Sequence, residues 1–227
     1  MFVLEGVSKA FVNRRGSVHA LREVSLKVER GSFLTITGPS GSGKTTLLLT
    51  FGGLIRPTGG RVMFGGTDLF SLSEGDLAQH RNRNVGFVLQ TFNLVPYLSA
   101  LENVMVPMLF SNGSNGDSRK RARSLMDRLG LSDRCDHLPR ELSVGQQQRV
   151  AIARALANDP EVILADEPTG NLDPGLSTEI LEILRDLNVK EGRTVIMVTH
   201  SPEAARIGSV HLRLVDGACV STEPTNG

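Results

Sequence analysis

The stretch FLTITGPSGSGKTTLLLTFGG, residues 33–53, changes chemistry twice along its length. Phe33 to Thr37 is apolar and β-branched, the composition of a buried strand, and TTLLLTFGG reads as a helix. Between them Gly38 to Thr46 fits G-x-x-x-x-G-K-[ST], a motif that requires a strand before it and a helix after it. Glycines at 38, 41 and 43 let the backbone turn tightly and aim its N–H groups inward, while the helix adds its positive N-terminal end. Gly38, Pro39, Ser40, Gly41, Ser42, Gly43, Lys44, Thr45 and Thr46 therefore read as a cradle for polyphosphate. Lys44 supplies a point charge for β- and γ-phosphates, and the Thr45 hydroxyl is placed to ligate Mg²⁺. A turn that merely joined strand to helix would explain neither the Lys-Thr pair nor its position at the helix start.

Outward from this loop, apolar β-branched runs alternate with longer segments of helical period, the pattern of a parallel sheet covered by helices. The predicted strands are Phe2–Val7, Val24–Val28, Phe33–Thr37, Arg61–Phe64, Val85–Leu89, Val162–Asp166, Thr194–Thr199 and Val210–Val215, with an antiparallel layer open to the N-terminal ones. From Thr91 to Ala157 no strand is predicted, and Ala122, Leu125, Met126 and Leu129 fall on one helical stripe. Arg119, Lys120, Arg121 and Arg123 occupy the polar face of that same segment, which favours a solvated helix face over a nucleic-acid patch. SNGSNGD, residues 111–117, is expected to be a flexible surface loop, and the tail STEPTNG, 221–227, to fray.

Twenty-five Lys plus Arg against 24 Asp plus Glu leave a net charge of +1 over 227 residues, which argues against disorder and against a polycation's grip on nucleic acid. Cys135 and Cys219 lack metal-ligand spacing and are expected to be reduced, cytosolic thiols. The longest apolar run, Leu47–Ile55, contains Thr50 and two glycines and falls short of the roughly 18 to 20 residues that cross a bilayer. Glu5 and Lys9 interrupt the start where a signal peptide needs an apolar stretch, so export is not expected.

VILADE, residues 162–167, is an apolar strand ending in two carboxylates, and side-chain alternation is expected to send Asp166 and Glu167 in different directions. Asp166 can then hold Mg²⁺ through water while Glu167 orients and deprotonates an attacking water. His200 follows another buried-looking strand, TVIMVT, at the edge where such sheets carry ligands.

LSVGQQQRVAIARAL, residues 142–156, resembles the signature sequence of the ATP-binding-cassette (ABC) ATPases and the helix that follows it. Gln90 in VGFVLQ resembles that family's Q-loop, NLD at 171–173 its D-loop, His200 its switch histidine, and Phe11 the aromatic that stacks on adenine. The resemblance implies an α/β P-loop NTPase (RecA-like) core at 1–90 and 158–220, an N-terminal antiparallel β layer, and an inserted helical signature subdomain at 91–157. ATP and Mg²⁺ are the implied ligands, with Thr45, Gln90 and Asp166 toward the metal and Glu167, Gln90 and His200 toward catalysis. Ser143 would cap the signature helix, with Gly145 just inside, so that a hydroxyl and backbone N–H groups face an anion; Gln146 and Asp173 join the nucleotide contacts. Val144 stands where the family pattern has glycine, and a β-branched side chain beside nucleotide would slow hydrolysis.

The resemblance further implies a head-to-tail homodimer, in which Lys44, Thr45, Gln90, Asp166, Glu167 and His200 of one chain face Ser143 and Gly145 of the other. GPSGSGKTTLLLTFGGL, RNRNVGFVLQTFNLVPYLSALENV and ADEPTGNLD most resemble ATPase subunits of lipoprotein-releasing systems and macrolide-type exporters. The implied partner is a separate integral-membrane permease whose cytoplasmic helix meets TFNLVPYLSALENV, the chain itself lying peripherally on the cytoplasmic face of the inner membrane. A soluble ABC ATPase acting on nucleic acid or ribosomes is the competing reading, but such proteins usually carry two cassettes or a coiled-coil insertion, and no nucleic-acid partner is expected. A P-loop kinase or GTPase leaves the signature helix, Gln90 and His200 unexplained. The transported substance is not written in these residues, since selectivity in this family belongs to the permease.

Overall fold

The computed structural model describes residues 1–13, 16–111 and 115–224. The first half runs β1 (Phe2–Asn13), β2 (Gly16–Val28), β3 (Phe33–Thr37), α1 (Lys44–Phe51), β4 (Gly59–Phe64), β5 (Thr67–Asp68), α2 (Glu74–Asn84), β6 (Val85–Leu89) and α3 (Ala100–Met105). The second continues with α4 (Asn115–Arg128), α5 (Val144–Ala155), β7 (Val162–Asp166), α6 (Pro174–Val189), β8 (Thr194–Val198), α7 (Pro202–Ala205), β9 (Val210–Val215) and β10 (Ala218–Pro224). The chain divides into one unit of residues 1–78 with 185–227 and another of 79–184, the divisions falling inside α2 and α6.

In the first unit β2, β1, β4 and β5 form the antiparallel layer, in that order. The β1–β2 hairpin is longer than the sequence suggested, because only its base is continuously apolar: Phe2 pairs with Val28 and Leu4 with Leu26, while its far end pairs Phe11 with Val18. On β2, Leu21, Val24, Leu26 and Val28 bury one face. The Phe2 ring meets Phe51 of α1 and Phe64 of β4 edge-on, with centroids 5.1 and 4.9 Å away. Such pairs add about 0.5–1.5 kcal/mol to the burial of the rings themselves.

The same unit holds the strand order β10-β9-β3-β8, with β3 parallel to both β8 and β9. Phe33, Leu34, Thr35 and Ile36 are all buried, as expected of a strand with neighbours on each side and covered faces. This fixes the end of β3, and hence the start of the glycine loop. The tail expected to fray differs: Ser221 to Pro224 continue β10, pairing with Arg213 to Val210 of β9, while 225–227 lie outside the described residues. An edge strand is held by its ladder of main-chain bonds and needs no apolar face, so its polar composition gave no signal.

In the second unit β6 and β7 run parallel, Leu89 opposite Asp166. A Cβ on Gly86 would lie 2.4 Å from the Ala155 carbonyl oxygen, so α5 reaches β6 more closely than any side chain there would permit. The predicted stripe Ala122, Leu125 and Met126 of α4, with Leu129 just past its end, is buried, and Arg119, Lys120, Arg121 and Arg123 are exposed. That helix starts at Asn115, inside the stretch expected to be loop; 112–114 lie outside the described residues. Among the described residues no helix is long and apolar enough to cross a membrane.

Candidate active site

The glycine loop is built by close approach. A Cβ on Gly43 (φ 98°) would lie 2.1 Å from the Ala20 carbonyl oxygen, and one on Gly38 (φ 151°) 2.0 Å from that of Leu214. Main-chain atoms cannot move aside for a methyl group, so β2 and β9 set the two ends of the loop. Gly41 (φ 78°) faces open space and is required only by its backbone angle. Ser42 is anchored through its backbone, receiving the Gly217 N–H on its carbonyl at 3.0 Å, while its buried hydroxyl has no hydrogen bond among the described residues.

Gly43 is also the N-cap of α1 and brings no side-chain acceptor, and the first turn carries no acidic residue. The N-cap itself thus sets no side-chain acceptor against the positive end of the helix dipole. The Lys44 ammonium donates to the carbonyls of Gly38 and Pro39, both at 2.9 Å, which folds it back over the loop. Thr45 is exposed in the first turn, and Thr46 lends its carbonyl to the Thr50 hydroxyl at 2.7 Å. Phe11, on the far part of the hairpin, is 42% exposed, with the Lys9 ammonium 5.1 Å from its ring centroid. His200 is exposed just beyond β8 and, with Thr37, Arg206, His211 and Glu223, lines a cleft of about 510 Å³.

In the second unit Asp166 ends β7 and Glu167 has φ +47°, a left-handed conformation uncommon outside glycine, asparagine and aspartate. The two carboxylates are separated by a sharp turn and not, as expected, by continued strand alternation. The turn closes with the Gly170 N–H on the Glu167 carbonyl at 3.0 Å. A Cβ on Gly170 would stand 3.1 Å from Gln90 Nε2 and 3.6 Å from Glu167 Cβ, so the amide of Gln90 lies beside this turn. Asn171 donates its side-chain N–H to the Gln90 carbonyl at 3.2 Å, joining the segments predicted as Q-loop and D-loop. Asp173 accepts the Leu176 N–H at 3.0 Å and so caps the start of α6.

Ser143 caps α5 as expected: its Oγ accepts the Gln146 N–H at 3.3 Å, and Gln146 Oε1 accepts the Ser143 N–H at 2.9 Å. This reciprocal box leaves the serine hydroxyl proton available for donation outward. Gly145 is buried, and a Cβ there would come within 2.9 Å of a Leu176 methyl; its neighbour Val144 is 44% exposed at the helix start. Two side chains of α5 were not singled out by the sequence. Gln148, fully buried, donates to the Pro168 carbonyl at 2.6 Å, and Arg154 donates to the carbonyls of Phe92 and Asn93 at 2.5 and 2.6 Å. Burial pulls the Arg154 guanidinium below its usual pKa. The signal for Gln148 was present: it shares a helical stripe with Gly145, Ile152 and Ala155, where a polar residue must find a partner.

A family model described as ABC transporter matches residues 21–170, a span that takes in the glycine loop, the acidic strand end and the signature helix. The chain belongs to the ABC transporter family. It is 45% identical over 221 residues to the lipoprotein-releasing system ATP-binding protein LolD of Syntrophus aciditrophicus, covering 97% of this chain and 99% of that protein. The macrolide export ATP-binding/permease protein MacB of Syntrophobacter fumaroxidans is 46% identical over 226 residues, 99% of this chain, which spans only 31% of that longer protein. Among solved structures, the ATP-binding cassette MJ0796, a dimer in a post-hydrolysis state bound to ADP and Pi, superposes with a TM-score of 0.93 at 42% identity over 100% of both chains. This ABC chain is accordingly a nucleotide-binding ATPase, with the mixed α/β fold and antiparallel layer of such cassettes.

Proposed function

We propose that this chain couples ATP hydrolysis to a separate membrane permease, acting as a head-to-tail dimer on the cytoplasmic face of the membrane. The observation that carries the chemistry is the α1 start: a glycine N-cap with no side chain, the positive end of the helix dipole and Lys44 meet at a glycine loop whose ends are fixed by backbone contacts, a cradle suited to an anion. The buried Ser42 hydroxyl, without a hydrogen bond among the described residues, is one more donor that a phosphate oxygen would satisfy. Lys44 neutralises charge on the terminal phosphates, Phe11 offers a half-exposed ring for adenine, and Glu167 takes the proton of the attacking water. His200 and Gln90 orient that water and the terminal phosphate, with Gln146 and Asp173 holding the segments that carry Ser143 and the D-loop.

Thr45 and Asp166 supply hard oxygen donors of the kind Mg²⁺ prefers, a hydroxyl and a carboxylate that leave the remaining positions to water and phosphate, and Gln90 adds a third oxygen. Mg²⁺ bound there would neutralise charge on the β- and γ-phosphates. Nucleotide work falls to residues 1–90 and 158–220 and the signature to 91–157, which is presented to the other copy of a dimer, as the dimeric state of MJ0796 supports. Exposed Tyr97, Leu109 and Phe110 give the helical part an apolar surface suited to a permease helix. Likeness to LolD and MacB favours export or extraction of a lipoprotein, peptide or drug.

Glu167→Gln tests the assignment. The carboxamide keeps the shape but cannot accept a proton, so nucleotide affinity is expected to persist while kcat falls by about 10²–10⁴-fold. Wild-type turnover would remove Glu167 from the role of base.

A further inference from the structure

The loop after β6 contains two consecutive non-glycine residues in the left-handed region, Phe92 (φ 56°) and Asn93 (φ 49°). Asparagine tolerates that region, whereas a bulky aromatic does so only where its surroundings impose it. Burial alone does not impose it here, because Phe92 is only partly buried and Asn93 is exposed. The short-range bonds of the turn, Phe92 N–H to the Leu89 carbonyl at 3.1 Å and the Thr91 hydroxyl to Asn93 Oδ1 at 2.9 Å, stay within the loop and fasten it to nothing beyond β6.

The external tether is Arg154, in the last turn of α5. Its Nη2 donates to the Phe92 carbonyl at 2.5 Å and its Nη1 to the Asn93 carbonyl at 2.6 Å, one bond to each strained residue. Two carbonyls side by side match the planar fork of a guanidinium, which a lysine ammonium on a flexible stem does not reproduce. Among the described residues no carboxylate lies in salt-bridge range of Arg154, so this partly buried cation is spent on the loop backbone.

We infer that Arg154 is a positioning residue for Gln90: by gripping the left-handed pair two and three residues downstream, it fixes the direction in which the chain leaves β6 and so where the Gln90 side chain lies. The Asn171 bond to the Gln90 carbonyl steadies the same residue from the other side. Because Arg154 sits on the helix that starts at Ser143, one rigid element of twelve residues both presents the signature end and holds the glutamine loop. The inference rests on the reading that Gln90 acts at the nucleotide.

The test uses steady-state ATP hydrolysis by the full chain with Mg²⁺, comparing Arg154→Met, Arg154→Lys, Gln90→Ala and each Arg154 change combined with Gln90→Ala. Arg154→Met is expected to lower kcat about tenfold, with nucleotide affinity within about twofold of wild type, since misplacing one catalytic group costs rate before it costs binding. In the Gln90→Ala background the same change is expected to cost nothing further, because residues acting as a unit are not additive. A purely structural role would lower thermal stability and multiply the two losses, and that outcome overturns the inference. Should Arg154→Met not fold, Arg154→Lys, which keeps charge and stem but loses the fork, carries the same cycle with an expected loss of about threefold. Unaltered kcat in Gln90→Ala alone would sink the reading of Gln90 and the inference with it; impaired Gln90→Ala with multiplying losses sinks the inference only.

Discussion

Val144 and Gly145 are adjacent at the start of α5 and meet different constraints. Gly145 faces inward, where an added methyl would press on the Leu176 side chain, so its requirement is packing within the chain. Val144 is 44% exposed at the start of α5, next in sequence to Ser143, at the helix end proposed to meet phosphate. Val144→Gly is therefore expected to raise kcat severalfold, at a stability cost of well under about 1 kcal/mol, since glycine's penalty is largest in helix interiors. Steady-state kinetics with a urea melt of both proteins checks this, and equal turnover would show that the valine leaves the backbone accessible. Glu167 is the other informative residue: its place just after an apolar strand was legible in the sequence, but its geometry was not. The sequence sets two carboxylates in succession, whereas the left-handed φ of Glu167 is imposed by the turn through Gly170, which no local pattern announces.

At the scale of elements, β3, β6 and β7 were legible to the residue because strands covered on both faces are nearly continuous apolar runs, and β9 because buried Leu212 and Leu214 flank exposed Arg213. The outer parts of the hairpin and β10 were not, since edge strands are held by main-chain pairing and show mixed polarity. The helix α5 was legible as a serine-capped start and illegible as a hub, for the partners of Gln148, Arg149 and Arg154 are distant in sequence. Gln148 is the energetic case. Its buried amide answers the Pro168 carbonyl at 2.6 Å, next to the Glu167 turn, while its own Oε1 finds no partner among the described residues. Gln148→Leu keeps most of the volume and removes the donor, leaving a buried carbonyl unsatisfied, which costs about 1–3 kcal/mol. Relief of the unpaired Oε1 works in the opposite direction, so a net loss near 1 kcal/mol is expected. Urea denaturation measures it, and a more stable Gln148→Leu would mean that the unpaired oxygen outweighs the bond.

For the whole molecule the central matter is that the chain carries one glycine loop, fixed by backbone contacts, and one signature end, fixed by the Ser143–Gln146 box and the Leu176 side chain. If a working site takes its loop from one copy and its signature from another, then defects in the two must complement when placed on different chains. Lys44→Ala removes the ammonium that bridges the Gly38 and Pro39 carbonyls, and Ser143→Arg fills the outward face of α5; each alone is expected to be inactive. Mixed in equal amounts, half of the dimers contain one chain of each kind. In such a dimer one site combines both defects, and the other combines the intact Lys44 of one chain with the partner's Ser143. About a quarter of wild-type activity per chain is expected in the mixture if the two sites turn over independently, by the symmetry of a two-fold pair. Light scattering in the presence of ATP, carried out on the same mixture, establishes that dimers are present. Dimers without any recovered hydrolysis would show either that both sites must be intact together or that each chain completes its own. A tethered dimer with both defects on one chain and none on the other separates the two. It keeps half-activity if each chain is self-sufficient, and none if every site needs its partner.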